Sequence, residues 1–203
     1  MKNNTNLSTI VLQLFSLTGV IIGAIFLFSS TSCNTVKSRD SKMIALELNE
    51  EKFNQSEDKK NASYLVDAAE IHLKEIYLAQ LVQQDARQID VKELGKMIEK
   101  INSNTLIHLT DLANKKMIAI PTSTTEQGLE AVEFLNKKSG HEFDKEYCDM
   151  MVASQKHVIK LFEEIVDESS DAEIKIWAFC TLPALRKHLE YALTCQKKCT
   201  LYK

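Results

Sequence analysis

Apolar positions recur in three different ways along this chain. Over residues 10–28 they are nearly continuous, interrupted in the first half by Gln13, Ser16, Thr18 and Gly19. Residues 34–61 are polar, apart from a mildly apolar patch at 43–48. From Ala62 onward they fall at three- and four-residue steps, the period of amphipathic helices. That period predicts a first helix over about 62–86, carrying Leu65, Val66, Ala69, Leu73, Ile76, Tyr77 and Val82. A second runs from Asp90, a good N-cap, through Leu94, Ile98 and Leu109 to Lys116. Residues 118–121 read as extended, because a residue preceding proline avoids helix. Thr124 or Thr125 caps a short third helix that stops before Ser139-Gly140. A long fourth helix spans about 142–169, and Asp171 caps a last one over about 172–197, which Pro183 should kink.

The N-terminal pattern is an address. Polar Lys2, Asn3, Asn4 and Asn6 precede the apolar run, and Ser29-Ser30-Thr31-Ser32-Cys33 follows it, the parts of a secretory signal. The cysteine at that junction resembles the lipobox of bacterial lipoproteins, in which it is lipidated and becomes the mature N-terminus. Ser30 stands where the usual lipobox has leucine. The run of about nineteen residues also approaches the ~20 that span a bilayer as an uncleaved anchor. Cleaved lipoprotein, uncleaved anchor and plain secreted protein all place residues 34–203 outside the cytoplasm. The expected organisation is a signal or anchor over 1–33, a flexible tether over 34–61 reaching roughly 30 Å, a helical domain over 62–197 and a tail over 198–203.

Composition narrows the remainder. Five glycines and two prolines argue against a sandwich or barrel, leaving an all-α, up-and-down four-helix bundle with a short extra connector helix. The net charge is −3 with no basic block, so nucleic acid is not an expected partner. In an exported domain Cys195–Cys199 and Cys148–Cys180 are candidate disulfides. Cys148 and Cys180 also read as small hydrophobes among apolar neighbours. A zinc site at Cys195 and Cys199 would need ligands that the tail does not offer.

Four segments carry a family resemblance. They are Ala68-Ala69-Glu70-Ile71, Ser139-Gly140 followed by Phe143-Asp144-Lys145-Glu146-Tyr147, Leu161-Phe162-Glu163, and Thr181-Leu182-Pro183-Ala184-Leu185-Arg186-Lys187-His188-Leu189. In that order they resemble the bacterial "domain of unknown function 4142" family over about 62–195. The resemblance implies an exported or membrane-attached protein with a ferritin-like bundle, with Phe143, Asp144, Tyr147 and Pro183 as motif residues. The family pattern also has two Asp-His pairs, and the matching positions here hold Lys100-Ile101 and Ser154-Gln155.

A ferritin-like dimetal centre takes two glutamates and two Glu-x-x-His motifs, and no Glu-x-x-His occurs in this chain. No cofactor is therefore expected, and metal least of all. Of the inward polar residues of the family pattern, Glu70 and His188 remain. They are candidates for one buried polar pair, with Tyr77 or Tyr147 as a further donor; a structural pair, a small-ligand site and two independent positions all stay open. His72 and Glu75 read as lying towards a surface or interface. Asp144 reads as a first-turn carboxylate that favours the helix dipole.

No phosphate loop or nucleophile elbow is present. The expected function is a non-catalytic binding or structural module at the cell envelope, held to the membrane through Cys33 or an anchor, with an envelope protein as partner. The alternative is a degenerate ferritin-like metal-binding or redox and stress-protection enzyme. A third reading makes His188 or Cys195/Cys199 a sensor.

Overall fold

The computed structural model describes residues 39–201. The expected signal or anchor, Cys33 and the first tether residues lie outside the described residues, as do residues 202–203. Among the described residues there are six α-helices and no strand: α1 (Ser41–Lys52), α2 (Ser56–Asp85), α3 (Ile89–Lys115), α4 (Glu126–Asn136), α5 (Gly140–Glu168) and α6 (Ala172–Leu201). None of them is long and apolar enough to cross a membrane.

Two hairpins make the bundle. Three-residue turns join α2 to α3 and α5 to α6, which forces each pair antiparallel. α2 packs on α3 and α5, while α6 packs on α5 and α3, so the four helices close a ring. The short α4 packs on α2 and α5 along the connection between the hairpins. At Gly95 the α2–α3 contact is close: a Cβ there would stand 2.5 Å from Val82 Cγ1 and 3.1 Å from the Ala79 carbonyl oxygen.

The expected caps at two helix starts are present. Thr125 Oγ1 accepts from the Gly128 N–H (3.3 Å) at α4, and Asp171 accepts from Glu173 and Ile174 N–H (2.9 and 3.1 Å) at α6. Asp90 does not cap α3; Gln88 is the N-cap, without a side-chain bond. Helix α6 runs through Pro183 to Leu201, so the tail expected from 198 is helical as far as it is described.

The tether expectation also changes over the described residues. Residues 41–52 form α1, capped by Asp40 and docked on α2. Asn49 fastens it, donating from Nδ2 to the Ala119 carbonyl and accepting from the Ala119 N–H, both at 2.8 Å. Helix α2 then begins at Ser56, six residues before the apolar period becomes legible at Ala62.

Candidate functional site

Each bundle helix carries its apolar stripe in two blocks. One core cluster holds Leu65, Ala69, Leu109, Val158, Phe162, Ala178 and Leu185; the other holds Leu78, Val82, Leu94, Ile98, Tyr147, Met151 and Ala192. Between the blocks every helix contributes polar residues at one level: His72 and Glu75 from α2, Asn102 from α3, Gln155 from α5 and His188 from α6. All five are buried.

This layer is a hydrogen-bond chain. His72 Nδ1–H donates to Asn102 Oδ1 (3.1 Å), and Asn102 Nδ2 donates to Glu75 Oε2 (2.6 Å). Gln155 Nε2 donates to both Glu75 oxygens at 3.0 and 2.9 Å. The bond to Asn102 fixes the His72 tautomer, leaving Nε2 as a bare lone pair. His72 Nε2, His188 Nδ1, Gln155 Oε1 and Tyr147 OH are buried without a protein partner.

Burial sets the protonation states. It raises the Glu75 carboxyl pKa above its ordinary value and lowers both His72 and His188 to about 4. At neutral pH both imidazoles are uncharged, so neither adds a buried charge to the layer.

The expected Glu70–His188 pair is not what the hydrogen bonds show. Glu70 Oε2 accepts from Lys42 Nζ (2.5 Å) and Oε1 from Thr125 Oγ1 (2.9 Å), so the residue joins α2 to α1 and α4. Lys42 also bridges to Asp67 at 2.8 Å. His188 lies in the central layer instead. There it adds to burial in lowering the His72 pKa. Tyr77 is 40% exposed, and Tyr147 is buried with its hydroxyl unpartnered. His72 and Glu75, read from sequence as surface or interface residues, are core. Gln155 occupies the layer where the family pattern has histidine, and on α3 Asn102 enters it while Ile101 is only half-buried.

Three of the four family-motif residues have a structural explanation. Phe143 and Tyr147 fill the second apolar block. Asp144 caps a turn on another hairpin rather than its own helix: its oxygens accept from the Arg87 N–H (2.9 Å) and Gln88 N–H (2.8 Å) between α2 and α3. Pro183 lies exposed on α6, between buried Leu182 and Leu185.

A second constellation sits at the far end of that block. Cys148 of α5 faces Cys195 and Cys199, one turn apart on α6, and all three are buried and free of disulfides. The Cys148 thiol donates to Cys195 Sγ at 3.3 Å, with Cys199 Sγ 3.7 Å from Cys148. All three sulfurs lie within 4.8 Å of one another. Around them, the Cys199 thiol is 3.8 Å from Gln88 Oε1, and His141 Nε2–H donates to the Cys199 carbonyl at 2.6 Å. Cys180, the other partner suggested for Cys148, is exposed elsewhere on α6.

The thiols are not equivalent. The shared hydrogen bond with Cys195, then burial, pushes the Cys148 thiol far up, and burial raises Cys199 to about 11. Cys195, which accepts the Cys148 hydrogen, is lowered below the ordinary thiol value. Lys198 and Lys145 both feel the cluster's charge.

This geometry corrects the expectation that metal has no place in the chain. Tetrahedral zinc at about 2.3 Å from each sulfur sets sulfur–sulfur distances of about 3.8 Å; the separations of Cys148 from Cys199 and Cys195, 3.7 and 3.3 Å, fall just below that, so a small outward shift of Cys195 would fit the ion. The missing ligand is supplied by α5 and not by the tail. Among the described residues no other group of three histidine, cysteine or acidic side chains is so gathered.

A family model for "Domain of unknown function (DUF4142)" matches residues 48–194. Neither the curated proteins nor the solved structures gave a match.

Proposed function

We propose that this chain, which belongs to the DUF4142 family, is a ferritin-like bundle that holds one thiophilic metal ion, zinc or copper(I), at Cys148, Cys195 and Cys199. The observation that carries this reading is the convergence of three buried sulfurs from two helices within 4.8 Å. Soft thiolates select zinc and copper(I) over hard cations. Three protein ligands leave a zinc ion one open position, the arrangement of catalytic rather than structural zinc sites. Three thiolates outweigh the charge of either ion; Lys198 and Lys145 lie beside the cluster, each also paired with a carboxylate, Asp90 and Asp149. Cys148 and Cys199 are protonated without metal, so loading releases protons and strengthens with rising pH.

The site lies in a module proposed to stand outside the cytoplasm, joined to a membrane through lipidated Cys33 or an uncleaved apolar anchor. Support comes from the apolar run over 10–28 and the small residues ending in Cys33. In this reading the bundle binds or hands on metal at the envelope, with an envelope protein as partner.

Zinc titration of the reduced full-length protein tests the site. One equivalent should resist dialysis, and Cys148→Ser should weaken retention sharply while the helical content stays. Failure to retain zinc or copper(I), or retention indifferent to Cys148→Ser, would refute it. Mass spectrometry of the mature N-terminus tests the tether: lipidated Cys33 is expected, and an intact Met1 replaces it with the anchor.

A further inference from the structure

The closest pair in the thiol cluster joins two helices, and that carries a second chemistry. Cys148 and Cys195 Sγ are 3.3 Å apart, already hydrogen-bonded, on opposite sides of the α5–α6 hairpin. Formation of an S–S bond of about 2.0 Å requires the sulfurs to close by little more than an ångström. Cys199 stands 3.7 Å from Cys148, the next sulfur in reach. We infer that Cys148 and Cys195 form a peroxide-oxidised dithiol whose disulfide expels the metal ion, making occupancy of the site dependent on redox state. The expulsion rests on the metal reading above; the disulfide itself does not.

The chemistry balances with hydrogen peroxide as oxidant. Cys195 Sγ, the sulfur that accepts the hydrogen bond, attacks one peroxide oxygen. The O–O bond breaks, and the departing hydroxide leaves as water, its proton donated by Cys148 in the metal-free protein and taken from solvent when zinc holds Cys148 as a thiolate. Cys195 is then a sulfenic acid, and the Cys148 thiolate attacks its sulfur. The S–S bond forms, the S–O bond breaks, and the second hydroxide is protonated to water by the proton Cys195 gave up. Two thiols and one peroxide become one disulfide and two waters.

Cys195 and Cys199 lie in the last two described turns of α6 and are buried, so peroxide reaches them through local opening of this part of the helix. Once two sulfurs are bonded to each other, Cys199 alone remains as a thiolate ligand, too few to hold zinc.

The test uses the full-length chain carrying Cys180→Ser, which removes the one exposed thiol among the described residues. Reduced protein, metal-free and zinc-loaded, is treated with an equivalent of hydrogen peroxide. Peptide mapping should recover a Cys148–Cys195 link in the metal-free sample. In the loaded sample a chromogenic chelator should report zinc release in step with that link. Cys199→Ser should still form the link, and Cys148→Ala should not, leaving Cys195 to over-oxidise. A metal-free protein whose Cys148 and Cys195 stay unlinked overturns the dithiol. Zinc retained beside a formed link overturns the expulsion alone. A link in a protein that retains neither zinc nor copper(I) upholds the dithiol and refutes the metal reading.

Discussion

His72 offers the sharpest test of the buried polar layer, because its titration and its hydrogen bond can be separated. Its ring is fully buried, and its pKa falls from 6.5 to about 4 on folding. A depressed histidine pKa means that the unfolded chain binds the proton first. Stability is therefore intact above pH 6.5 and falls as pH drops from 6.5 towards 4. At pH 4.5 almost every unfolded chain carries that proton and a minority of folded ones do, so the linkage amounts to about 2–3 kcal/mol. Asparagine at this position keeps a donor for Asn102 Oδ1 and cannot titrate. The assay is urea unfolding of the protein and of His72→Asn at pH 7 and pH 4.5. The variant starts less stable because it leaves a cavity, yet between the two pH values it should lose about 2–3 kcal/mol less than the parent. Equal losses in both proteins would refute the assignment of His72 as a buried neutral base.

Three further outcomes follow from named contacts. Glu75 is held with a raised pKa, so folding favours its proton, and stability declines as pH rises from 4.5 through the folded value. Glu75→Gln should raise the melting temperature at pH 7 and do so less at pH 4, with Gln155 turning its orphaned Oε1 towards the new amide; a lower melting temperature at pH 7 contradicts this. Gly95→Ala places a methyl against Val82 and the Ala79 carbonyl, and should cost about 1–3 kcal/mol in denaturant unfolding; no measurable loss would show that α2 and α3 can part freely. Asp144→Ala strips the caps from the Arg87 and Gln88 N–H groups, and should cost about 1–3 kcal/mol, read as faster hydrogen exchange at the α2–α3 turn; unchanged exchange there would remove the capping role.

The helices were legible because their apolar period is long and their caps are local. The α4 and α6 starts at Thr125 and Asp171 follow directly from side chains beside the N–H groups they satisfy. What escaped is non-local. Helix α2 is covered by α1, α3, α4 and α5, so no single stripe marks its interior. Glu70 and His72–Glu75 therefore point to different neighbours with nothing in the local pattern to rank them. Helix α1 was hidden because much of its burial falls on Ala45 and Asn49, one small and one polar.

Hairpin register was a usable signal. Cys148 and Cys195 stand about equally far from the α5–α6 turn, as do Gln155 and His188, and His72 and Asn102 straddle the α2–α3 turn in the same way. An antiparallel pair brings such residues together. Counting outward from the turns would have paired Cys148 with Cys195 across the hairpin, where spacing along one helix suggested only Cys195 with Cys199.

The central claim is that three cysteine sulfurs of this bundle hold one metal ion. X-ray absorption at the zinc edge of the reduced, zinc-loaded protein reads that coordination directly. Three sulfur neighbours at about 2.3 Å, falling to two in Cys148→Ser, are the predicted result. A first shell of nitrogen and oxygen alone, unchanged by that substitution, would contradict it.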